Sequence, residues 1–165
     1  MKTENLLLIG LAAIFLLDSS NQQSSGGKYP NPGGKSRGLR NNNPGNIKET
    51  GTSWKGQIKP TNDPPFAQFQ NMVFGTRAMI ILVKRTYRNL GLNTIRGIIN
   101  RYAPEIENPT GNYIRFVSQQ TGINPDTVLS TESEYKRIIQ SMANFENGVS
   151  GAIPDAVYFE AQKII

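Results

Sequence analysis

The sequence contains no cysteine and no histidine. Those two absences remove whole classes of chemistry. Disulfides, thiol nucleophiles, serine–histidine pairs and zinc sites built on thiolate or imidazole are all excluded. Proton transfer near neutral pH then falls to Asp or Glu with a raised pKa, or to Lys or Tyr with a lowered one. Tryptophan is almost missing, with Trp54 alone. Acidic groups are the scarcer charge, 12 against 18 Lys and Arg. There is no phosphate-binding glycine loop, calcium loop, zinc pattern or internal repeat. No cofactor and no metal is therefore expected.

What is present suits one domain with a real core, since the chain has 165 residues. Hydrophobic content of 37% and a mean hydropathy of -0.42 are those of a globular protein with a polar surface. Charge is uneven. Residues 1–101 hold 14 Lys and Arg against 4 Asp and Glu, and residues 102–165 hold 4 against 8. The basic part would attract a polyanion such as nucleic acid, anionic lipid or bacterial cell wall. No reading helix or dense Lys/Arg patch is recognisable, so no specific nucleic-acid partner is expected.

One long apolar run exists, the 12 residues from Leu6 to Leu17. A membrane-spanning helix takes about 20. Three readings follow: a short signal-anchor, which is preferred; a secretion signal cleaved within Ser19–Ser25; or an apolar arm docked on the protein or a partner. Ser, Gln, Asn, Gly and Pro dominate 19–34, the composition of a flexible tether. The expected organisation is a hydrophobic segment over 1–18, a linker over 19–34 and a folded domain over 35–165.

That domain is organised around the polar stretch from Arg37 to Lys48, RGLRNNNPGNIK. Asparagine side chains cap backbone groups and tolerate left-handed conformations. Pro44 fixes φ, and Gly45 can take the positive φ of a type II turn. The stretch is either a loop held for recognition or a well-capped connection. Short strands are expected near 46–49 and 54–58. Trp54 is an anchor in the core or a platform for sugar.

The rest reads as helix. From Gly75, Ala78, Met79, Leu82, Val83, Thr86 and Leu90 recur at helical spacing, with Gly91 as C-cap. Thr94 caps a second helix carrying Ile95, Ile98, Ile99 and Tyr102. A third begins around Tyr113, Phe116 and Val117. Thr131 and Glu134 form a capping-box pattern that opens a fourth. A last helix near 154–163 presents Ala156, Val157, Phe159 and Ile164. The fold class is mainly α with a minor β part.

In the fourth helix Tyr135, Ile138, Ile139, Met142 and Phe145 give a buried stripe. Glu146 follows Met142 by four residues and Ile139 by seven, so its carboxyl lies on the apolar face. A carboxylate there meets both desolvation and the negative end of the helix dipole, and its pKa should rise. That is what a general acid requires. The bland alternative is a polar residue in a fraying last turn.

The blocks RGLRNNNPGNIK followed by W.G, then F..F and GTRA, then YAP..EN.T..Y, then FENG, span roughly 37–148. Together they resemble a family of small bacteriophage and prophage proteins, some virion structural components and others lysozyme-like muralytic enzymes. The resemblance implies a lysozyme-like domain with Glu146 at the end of its buried helix. The asparagine stretch looks like part of a sugar groove that lies later in the chain of lytic transglycosylases. A circular permutation would explain the reversed order and would bring Arg37 and Gly148 together. The implied activity is cleavage of the MurNAc–GlcNAc bond by one catalytic glutamate. Glu107 is the rival carboxylate and Glu49 the third option, with Glu105 a further candidate for a second carboxylate. Asn43, Asn46, Trp54, Tyr102, Asn108 and Tyr113 are the implied substrate-binding residues. The alternative is a non-catalytic virion or peptidoglycan-binding protein of the same fold. Implied partners are peptidoglycan, virion proteins and a phage or host membrane through 6–17. The implied location is the virion, associated with its membrane, or the wall-facing host periplasm or membrane.

Overall fold

The computed structural model describes residues 35–104 and 109–165. The expected hydrophobic segment and tether lie outside them, as do the candidates Glu105, Glu107 and Asn108. Helix dominates, with one small sheet.

α1 (Arg37–Arg40) is a single turn. α2 (Met72–Ile80) starts at Asn71, whose side chain accepts from the N–H groups of Val73 and Phe74. Spacing alone opens this helix at Gly75, but the asparagine cap draws the start back three residues. The helix runs on into wider π-helical turns over Ile81–Tyr87. α3 (Ile95–Tyr102) is capped by Thr94, which accepts from the Gly97 N–H as the sequence predicts. α4 is Thr110–Thr121. α5 (Glu132–Asn147) carries both bonds of the Thr131–Glu134 capping box and closes on Gly148, which is left-handed at φ 63. α6 is Asp155–Lys163.

The sheet pairs β1 (Gln57–Ile58) with β2 (Gln68–Phe69), antiparallel, Gln57 opposite Phe69. A single bridge joins Lys48 to Phe66. The strand expected near 46–49 is reduced to that bridge, because the chain before it is a tight turn rather than extended backbone.

The core lies where α2 meets α6 and α4 meets α5, with α3 against α4. Met79, Leu82, Val83, Ile98, Ile99, Val117, Ile138 and Ile139 are fully buried there. Tyr135, Ile138, Ile139, Met142 and Glu146 face inward as the periodicity predicts, while Phe145 is half-buried. α6 departs from expectation. It buries Tyr158 and Ala161 and leaves Phe159 48% exposed. The Lys136 ammonium sits 4.5 Å from the Phe159 ring centre, so a cation–π contact on the surface replaces core packing.

Among the described residues no helix is long and apolar enough to cross a membrane. α5, at 16 residues, is amphipathic and carries Glu132, Glu134, Lys136 and Arg137. This corrects the expected transmembrane helix, the membrane partner and the membrane-associated location. The run 6–17 on which they rested is outside the described residues.

α2 packs directly on the asparagine stretch at Gly75. A Cβ built there would overlap the carbonyl oxygen of Asn42 and crowd Pro44. Gly75→Ala should therefore lower stability by about 1–3 kcal/mol, the usual cost of overpacking. A denaturant midpoint compared with wild type measures it.

Candidate active site

The stretch from Arg37 to Lys48 folds into a knot of internal hydrogen bonds. The Asn43 N–H donates to the Gly38 carbonyl at 2.8 Å, and the Asn46 N–H to the Asn43 carbonyl at 2.9 Å. The Asn43 amide donates to the carbonyls of Ile47 and Ala67, both at 2.8 Å, and its oxygen accepts from the Ile47 N–H at 2.9 Å. Asn43 is 1% exposed, and its polar atoms serve the loop itself. The expected turn at Pro44-Gly45 forms, but positive φ falls on Asn42 (51°) and Asn46 (48°), not on Gly45. Gly45 is needed for another reason: a Cβ there would meet the Tyr102 hydroxyl and the Met79 sulfur.

Left-handed Asn46 turns its side chain onto the end of α5. Its amide nitrogen donates to the Glu146 backbone carbonyl at 3.1 Å and to Glu146 Oε2 at 3.2 Å. One residue on, the Asn147 amide donates to the carbonyls of Pro44 and Ala143, each at 2.7 Å, and Asn147 Oδ1 accepts from Ser36 Oγ at 2.6 Å. The residue before α1 and the end of α5 therefore meet. Asn46 Oδ1 is buried and has no hydrogen-bond partner among the described residues. It converges with the Asn43 carbonyl and Asn147 Oδ1 on the bare methylene of Gly38, where only weak C–H···O contacts are available.

Two tyrosines complete the surroundings of Glu146. The Tyr102 hydroxyl donates to the Gly45 carbonyl. The Tyr113 hydroxyl donates to the Met142 carbonyl at 3.3 Å and also bears on the Glu146 carboxyl; its one proton serves one acceptor at a time. The Tyr113 ring stacks on Phe145 at 3.9 Å, and Phe116 tilts against Phe145 at 5.3 Å. Glu146 is 7% exposed. Burial pushes its carboxyl up to about 7, against the pull of the hydrogen bonds from Asn46 and Tyr113. Burial, then the nearby Glu146 charge, likewise holds both phenols well above the usual range.

The fold thus gathers Glu146, Asn46, Tyr102 and Tyr113 from the site residues read in the sequence. Trp54 packs half-buried against the core, with its backbone N–H donating to Gln57 Oε1 at 3.1 Å. Glu49 is half-buried and accepts from Gln57 Nε2 at 2.9 Å. Asn147, not singled out from the sequence, ties α5 to the asparagine turn. Its position directly after Glu146 was the available signal.

No family model matches the chain. Over 115 residues it is 45% identical to Protein P5 of Pseudoalteromonas phage PM2, covering 68% of this chain and 71% of that protein. The chain belongs to the Protein P5 family. Among the described residues of this family member, no group of three or more Asp and Glu is placed to hold a metal ion. Its site is a single protonatable carboxyl in an apolar and amide-lined setting, suited to giving and retaking one proton.

Such a carboxyl leaves a trace in stability. Glu146 titrates near 4.5 when unfolded and at about 7 when folded, so the native state binds the proton more tightly. Stability should be fullest below pH 4.5, fall as pH rises toward 7, and level off above it. The loss has an upper bound of about 3 kcal/mol. Glu146→Gln should be more stable than wild type at pH 8 and should flatten this part of the profile, as read by denaturation at a series of pH values.

Proposed function

We propose that this phage protein cleaves peptidoglycan glycan strands, with Glu146 as the proton donor in a lysozyme-like domain. One observation carries the reading. The carboxyl of Glu146 is held at the buried end of α5 by Asn46, in surroundings that keep it protonated near neutral pH. Glu146 gives its proton to the glycosidic oxygen while the bond from that oxygen to the muramic C1 breaks. The resulting carboxylate then takes the proton of the muramic 6-hydroxyl as that oxygen bonds to C1. This closes a 1,6-anhydro ring and restores the acid. One carboxyl performs both steps, whereas glycosidases in general employ a pair. The meeting of Ser36 with Asn147 supports a permuted lysozyme-like arrangement, and kinship with a phage protein fits a wall-directed role.

A second reading is a non-catalytic virion or wall-binding component of the same shape. The low exposure of Glu146, its occupied hydrogen bonds and a relative whose name states no activity favour it.

Digestion of purified peptidoglycan by the full chain, beside Glu146→Gln, separates the two, with products read by mass spectrometry. Anhydromuropeptides should form, and the variant should lose roughly 100-fold or more of the rate. The rate should fall about tenfold per pH unit above 7, because the working form is the protonated acid. Reducing-end products would mean hydrolysis instead. A folded wild type that cleaves no wall type would establish the second reading, and full activity in the variant would remove Glu146 from the mechanism.

A further inference from the structure

The far end of α5 carries a separate feature. Glu132 opens the helix there, about 20 Å from Glu146 at 1.5 Å per residue. Beside it lies a cavity of about 210 Å³ lined by Ile80, Lys84, Arg85, Gln162 and Ile165. Small-molecule pockets commonly start near 300 Å³, so this one suits a fragment, not a sugar chain.

Its rim is fixed by Glu132. One carboxylate oxygen pairs with Lys84, and the other accepts from Gln162 Nε2 at 2.9 Å. Lys84 is thereby neutralised, and the Gln162 carbonyl oxygen is left as an acceptor. Arg85 is exposed and, among the described residues, engages no acid. Arg77 Nε donates to the carbonyl of Ile164 at 2.9 Å, next in the chain to the cavity's Ile165. The hydroxyl of Tyr158 is buried, has no hydrogen-bond partner among the described residues, and lies within electrostatic reach of Glu132. Lys84 and Arg85 come from the π-helical segment, whose Tyr87 points into the core. Such widened turns are frequent at functional sites.

These groups specify a ligand. Arg85 suits a carboxylate, the Gln162 oxygen suits an amide N–H, and Ile80 with Ile165 suits a small apolar side chain. We propose that this cavity binds the carboxyl end of a short peptide terminating in a small residue such as alanine. Peptidoglycan stems end in this chemistry, and that choice of source rests on the proposed function. The site then grips the peptide while Glu146 faces the glycan.

The test is an NMR titration of the full chain with acetyl-D-alanyl-D-alanine, its C-terminal amide and inorganic phosphate. The dipeptide acid should shift backbone amides of 80–85 and 162–165 saturably and leave 46 and 146 unmoved. Affinity should drop about tenfold or more for the dipeptide amide, and equally for Arg85→Gln, the loss of one charge-assisted hydrogen bond. Glu146→Gln should bind as wild type does. No saturable shift, equal binding of the amide, or phosphate binding as tightly as the dipeptide would overturn the proposal. Binding by a chain that cleaves no wall keeps this site and removes the glycosidase; cleavage without binding does the reverse.

Discussion

The contact between Asn46 and the end of α5 is the constraint on which the rest depends. It joins residues a hundred positions apart, and both partners are buried. An amide that donates to a buried carbonyl and to the carboxyl beside it cannot be released without leaving several polar groups unpaired, each costing about 1–3 kcal/mol. Asn147 doubles the link through Pro44 and Ser36. The asparagine stretch is thus a buried polar plug between α1, β2 and α5, with Asn41, Asn43 and Asn46 each 5% exposed or less.

The same contact sets the chemistry. Asn46 stabilises the ionised form of Glu146 and burial opposes it, with burial the larger effect. The dipole at the C-terminal end of α5 adds to the opposition. The outcome is a carboxyl poised near neutrality, where one group can act as acid and then as base. Clusters in which environment and hydrogen bonding pull a pKa in opposite directions are frequent at functional sites.

Much of this was legible in the chain. The four-residue step from Met142 to Glu146 placed the carboxyl on the apolar face, and the Thr131–Glu134 pair placed the helix start, because both are local and periodic. Asn71 as a cap was missed, because the pull of the apolar stripe at Gly75 and beyond is stronger than one polar residue. That Phe159 lies at the surface was not legible, because the cation over its ring comes from a different helix. β2 escaped notice because two residues carry no period.

The sequence by itself determined the longer helices, the absence of thiol and imidazole chemistry, and Glu146 as the candidate acid. Each follows from composition or from spacing within one element. Only the tertiary structure decided what Glu146 touches, that Asn43 serves the loop while Asn46 serves the carboxyl, and that positive φ falls on Asn42 and Asn46 instead of Gly45. It also decided that Lys84, Arg85 and Gln162 share one cavity. Those outcomes depend on contacts between elements far apart in the chain, and backbone propensity at one position carries no information about its partner a hundred residues away.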